Sequence, residues 1–128
     1  MSRTRRRAAA AALLCSMTAC ETRPSPVAGF DPGPVPAALG DGERHYDQHC
    51  ASCHGPHGIG SGAGPPLVHR IYEPSHHADA AFQLAAGRGV RAHHWTFGDM
   101  PPISGVDSAG VASVIAYVRW LQRKAGIH

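Results

Sequence analysis

Cys50-Ala51-Ser52-Cys53-His54 decides how this chain is read. Two thiols three positions apart on an opening helix share one face, from which both can add across the two vinyl groups of a haem. His54, next in sequence, then reaches the iron from the same side. A Cys-x-x-Cys pair alone also serves thiol exchange and zinc. The attached histidine and an export signal upstream argue against both, so the stretch reads as a covalent haem site.

The export signal occupies residues 1–19. Arg3, Arg5, Arg6 and Arg7 precede an apolar run from Ala8 to Leu14 that fades into small residues through Ala19. That run is too short for a retained membrane span. Its end, Met17-Thr18-Ala19-Cys20, resembles a bacterial lipobox, in which cleavage before the cysteine leaves a thiol that carries lipid; Leu is usual where Met17 stands. An ordinary cleaved signal with an incidental Cys20 is the competing reading. Cysteine bookkeeping agrees with lipidation: Cys15 leaves with the signal, Cys20 takes lipid, Cys50 and Cys53 take haem, and no pair remains for a disulfide.

Removing the signal also removes the basic character. The full chain carries a formal charge of +3, but from Cys20 onward eight Lys or Arg face nine Asp or Glu, a net of −1. The composition therefore gives no support to a nucleic-acid partner. Residues 20–40 hold Pro24, Pro26, Pro32, Pro34 and Pro36 with almost no periodic apolar pattern, which fits a semi-rigid spacer or a plain tail. What remains, residues 41–128, is one domain, small enough that buried apolar area alone is marginal; a covalently held haem would complete its core.

Three motifs carry a family likeness: Gly42-x-x-x-Tyr46-x-x-x-Cys50-x-x-Cys53-His54-Gly55, then Gly64-Pro65-Pro66-Leu67, then Met100-Pro101-Pro102. From about Asp41 to about Gly126 the chain resembles a small class I cytochrome c of the bacterial lipoprotein type. The resemblance implies an all-α fold of three to four helices wrapped around one covalent haem c. It implies that Gly42 and Tyr46 pack against the last helix. It also implies that the Pro65 carbonyl accepts the Nδ1 proton of His54, that Leu67 packs on the haem, and that Met100 is the sixth iron ligand.

The residues themselves add detail. A helix is expected from Asp41, whose carboxylate can cap free amides, towards the cysteines. His45 and His49, at i and i+4, have a metal-ligand spacing but are expected to face solvent. The glycines of residues 55–64 let backbone pass close to a flat macrocycle; the segment lacks the Gly-Lys-Ser/Thr ending of a phosphate loop. Ser75 is expected to cap a second helix carrying Ala78, Ala81, Phe82 and Ala85 and ending near Gly87, with His76 and His77 exposed at its start. Residues 88–102 form the distal segment, where Met100 is the only thioether left after the signal, with His93 and His94 as alternative ligands. Trp95, Arg88 or Arg91 could pair with a haem propionate. Asp107 or Ser108 caps the last helix, whose apolar face is Val111, Val114, Ile115, Val118 and Leu121; Arg119, Arg123 and Lys124 suit the negative end of its dipole.

Together these features, with the resemblance, imply an electron carrier with both axial positions of the iron filled, exchanging electrons with a protein donor and acceptor at the haem edge near the cysteines. A lipid on Cys20 would hold it at the periplasmic face of a bacterial cytoplasmic membrane; without it the protein would be soluble in the periplasm. Nothing in the sequence supplies a general acid or base beside an open site. Other readings stay open: a haem-based sensor or peroxidase-like enzyme, a cytochrome subunit of a larger oxidoreductase, and a metal protein that uses the many histidines.

Overall fold

The computed structural model describes Val27 and residues 29–128; the expected signal and Cys20 lie outside them. The described chain is helical: α1 (Gly40–His49), a single turn α2 (Ala51–His54), α3 (Asp79–Arg88) and α4 (Ser108–Lys124), with short 3-10 turns at Ala37–Leu39, Pro56–Gly58 and Arg70–Tyr72. No strand occurs among the described residues beyond one isolated bridge, Val90 to Met100.

α4 is the backbone of the fold. Its expected face, Val111, Val114, Ile115, Val118 and Leu121, is buried, and Asp107 caps it by accepting the Gly110 N–H at 2.8 Å. α1 crosses it at Gly42. A Cβ there would stand 2.2 Å from the Ser113 carbonyl oxygen and 3.0 Å from the Tyr117 Cβ, so only glycine allows the helices this close. One turn on, Tyr46 is fully buried against Tyr117, with ring centroids 5.5 Å apart.

Other expectations are corrected. α1 starts at Gly40 behind Leu39, which gives no side-chain cap; Asp41 sits in the first turn and pairs with Arg44 at 3.0 Å. It helps the helix through the dipole rather than by capping. The second helix starts at Asp79, not Ser75, because residues 74–77 form turns in which Ser75 bonds Glu73. It ends at Gly89, not Gly87, because Gly89 takes the positive φ of 76° that reverses the chain. Arg119 does not serve the helix dipole: its side chain is 9% exposed and turned inward. The stretch expected to be a spacer also contributes to the packed domain, since Val27, Phe30 and Val35 lie against the core.

Candidate functional site

α2 opens directly from the end of α1, so the last turn of the first helix delivers Cys50, Cys53 and His54 as one unit. The loop after them laces back onto that unit. Gly60 N–H donates to the His54 carbonyl at 2.7 Å, and the Ser61 hydroxyl to the Cys53 carbonyl at 2.5 Å. Such close return needs missing side chains: a Cβ on Gly55 would stand 2.2 Å from the Gly60 carbonyl oxygen, and one on Gly64 2.8 Å from that of Cys53.

The return brings Pro65 to His54. Their Nδ1 and carbonyl oxygen are 2.8 Å apart, and since a carbonyl only accepts, Nδ1 carries the proton and Nε2 keeps the lone pair. Burial lowers the His54 pKa, with the Pro65 bond opposing it, which favours the neutral ring that ligates metal. Burial, with Cys53 beside it, pushes the Cys50 thiol up to about 11. A thiol-exchange cysteine needs the opposite shift, so Cys50 is a poor exchange nucleophile.

Across α3 lies the distal segment. Gly89 turns the chain, and Val90 and Met100 then exchange backbone hydrogen bonds of 2.9 Å each, pinning Met100. A Cβ on Gly89 would stand 2.5 Å from the Met100 carbonyl oxygen. Cys50, Cys53, His54, Pro65, Leu67 and Met100 all line one apolar cavity of about 460 Å³. Leu84 and Phe97, at 52% and 43% exposed, line it too.

A cytochrome c family model matches residues 39–122. The chain belongs to the cytochrome c family. A comparison with curated proteins and one with solved structures give no match. As a c-type cytochrome the chain binds covalent haem c and serves haem-based electron transfer.

The cavity fits that cofactor on its own evidence. Exposed Leu84 and Phe97 turned to a cleft are costly in water and are covered once a flat apolar ring system enters. Trp95 lines the cavity with its Nε1 buried; Tyr72 lies near, yet no acceptor meets the indole N–H at hydrogen-bond geometry. A propionate would supply one. Arg88 and Arg91 are exposed and do not line the cavity, so of the three expected propionate partners only Trp95 is in place.

His45 and His49 are half-buried rather than solvent-facing, their rings stacked 6.2 Å apart, and His49 lines the cavity. His93 and His94 also line it, but they gather with His76 and His77: His94 lies 5.3 Å from each of those two rings. Partial desolvation, then the crowding imidazoles His93, His77 and His76, lowers the His94 pKa.

Sequence reasoning missed the supports of this site. Arg119 donates to Asp79 Oδ1 at 2.9 Å, to the Tyr72 carbonyl at 2.6 Å, to Gln122 Oε1 at 2.8 Å and to the His77 carbonyl. Its guanidinium also lies 4.8 Å from the Phe82 ring centroid. Gln122 in turn donates to the Leu67 and Tyr72 carbonyls, each at 2.9 Å. These two residues of α4 hold the chain between Leu67 and α3 against the cavity; the only sequence signal was a buried-face register that placed a polar residue at 122.

Proposed function

We propose that this c-type cytochrome is a monohaem, class I electron carrier with His54 and Met100 as axial ligands, Cys50 and Cys53 as thioether anchors, and a lipid on Cys20. What supports it is that His54 and Met100, from separate segments each tied down by backbone hydrogen bonds, line the same apolar cavity as both thiols. Bound haem supplies a one-electron ferric/ferrous couple. The chain does the rest. Cys50 and Cys53 fix the macrocycle, and Pro65 sets the His54 ring and raises its basicity. Met100, a neutral thioether, and the apolar wall both favour the ferrous state and so raise the potential. His93 and His94 are poorer candidates for the sixth position because their rings pack against His76 and His77.

Haem held by His54 and Met100 together would leave no position for a substrate on the iron, and the open side of the cavity is where redox proteins would exchange electrons with it. The native holoprotein is expected to titrate with a one-electron slope of about 59 mV per decade. It should show a ferric sulfur-to-iron band in the near infrared and leave carbon monoxide unbound when ferrous. A high-spin ferric spectrum with ready carbon monoxide binding would favour the sensor or peroxidase-like reading instead. The anchor reading puts the protein on the periplasmic face of a bacterial cytoplasmic membrane: the native form should partition into detergent, and Cys20→Ser should not. No helix among the described residues is long and apolar enough to cross a membrane.

A further inference from the structure

The turn before α3 and the distal segment place three imidazoles together at the edge of the haem cavity, which His77 and His94 line without being the proposed iron ligands. We propose that His76, His77 and His94 form a second metal site, for an imidazole-preferring divalent ion of the zinc or copper class, beside the haem cavity. One ligand nitrogen from each residue lies within 4.8 Å of the others. Bound zinc sits about 2.0–2.1 Å from each nitrogen, which sets neighbouring nitrogens about 3.4 Å apart in a tetrahedral site. His76 and His94 are exposed, and a small rotation of each ring within the cluster closes the gap.

The supports of the site are those a metal-binding histidine requires. His77 Nδ1 stands 2.6 Å from the Ile71 carbonyl oxygen, which can only accept, so Nδ1 carries the proton and Nε2 keeps the lone pair that a metal would take. The turn itself is fixed: the His76 and His77 N–H groups both donate to the Glu73 carbonyl, at 3.0 and 2.8 Å, and Arg119 holds the His77 carbonyl from α4. His93 is a neighbour of the same kind. Its Nδ1 is 2.8 Å from the Arg91 carbonyl oxygen and its ring lies 4.2 Å from that of His94, at the edge of the three-histidine group. No carboxylate joins the group, and an all-imidazole donor set selects zinc or copper over calcium and magnesium.

An ion there would clamp the distal segment to the turn before α3. The site is open to solvent, so the holoprotein can be titrated directly. Zinc, which is redox-silent beside the haem, is the probe. Calorimetry of the ferric holoprotein should give one zinc ion per chain, and zinc X-ray absorption should give three or four imidazole nitrogens at about 2.0–2.1 Å. His76→Gln and His94→Gln should each weaken binding by about tenfold or more. His45→Gln, on the other histidine pair, should bind as the parent does. Because His76 does not line the haem cavity, an unchanged haem spectrum in His76→Gln shows that the loss is not unfolding. Absence of stoichiometric binding, parental affinity in both His76→Gln and His94→Gln, or loss of binding in His45→Gln would overturn the proposal.

Discussion

Gln122 and Arg119 show how single side chains set the site from a distance. Gln122 is 1% exposed and donates to the carbonyls of Leu67 and Tyr72; Arg119 also serves the Tyr72 carbonyl, so it is the Leu67 carbonyl that depends on Gln122 for its donor. Leucine has similar bulk but no N–H. Gln122→Leu should therefore cost about 1–3 kcal/mol of holoprotein stability, read by denaturant unfolding; an unchanged midpoint would mean that these bonds carry no weight. Arg119 bonds Asp79, but that carboxylate is 67% exposed, so more of its value lies in the bonds to buried carbonyls than in the ion pair. Neither role was legible in the sequence. A basic residue near the end of a helix reads as a partner for the dipole, and the groups Arg119 meets outside α4 lie some forty positions earlier in the chain, visible only once α3 is docked. Gly42 was legible because its neighbours in the motif, Tyr46 and the cysteines, fix its place one helical turn away on the packed face.

At the scale of elements, what reads well is what repeats. α4 has a long periodic face and a cap with the right chemistry; its start and all five residues of its expected apolar face are found, with Tyr117, Arg119 and Gln122 buried besides. α3 has almost no apolar contrast between its faces, and its N-cap, Ala78, makes no side-chain bond, so the sequence offered Ser75 as a false start. Its end was misplaced for a related reason. Two glycines stand within reach, and only the tertiary bridge from Val90 to Met100 selects Gly89. The distal segment consequently hangs on that residue: Gly89 has φ +76°, and a Cβ would push on the Met100 carbonyl. Gly89→Ala should cost about 1–3 kcal/mol, and the cost should appear locally. The near-infrared sulfur-to-iron band should melt at a lower temperature than in the parent, while helical circular dichroism changes little. A band as heat-stable as the parent's would show that Gly89 does not hold Met100.

For the whole molecule, the core is small. Its buried cluster is Tyr46, Leu67, Val68, Val114, Tyr117, Val118 and Leu121, with the apolar cavity alongside. A domain of this size is marginal on burial alone, so the cofactor is part of the core rather than an addition to it. Replacing both Cys50 and Cys53 by Ala should yield a chain with no covalent haem after acid extraction and little helix. A stable, fully helical apoprotein would contradict this. The covalent haem was legible because thioether chemistry dictates a fixed spacing, and the all-α fold through the family resemblance that those residues carry. The histidine cluster was not, because His76 and His77 read locally as a polar helix start and His94 comes from the other side of α3.

The central claim is that Met100 and His54 fill the two axial positions. Met100→Ala tests it most directly, by spectroscopy and potentiometry together, with His93→Ala and His94→Ala measured in parallel. Met100→Ala should lose the ferric sulfur-to-iron band, bind carbon monoxide readily when ferrous, and drop in potential, because water or imidazole stabilises ferric iron better than a thioether does. A fall of about 60 mV is a tenfold change for a one-electron couple, and a shift of at least that size is expected. An unchanged spectrum in Met100→Ala, with the low-spin state lost in His93→Ala or His94→Ala, would contradict the account.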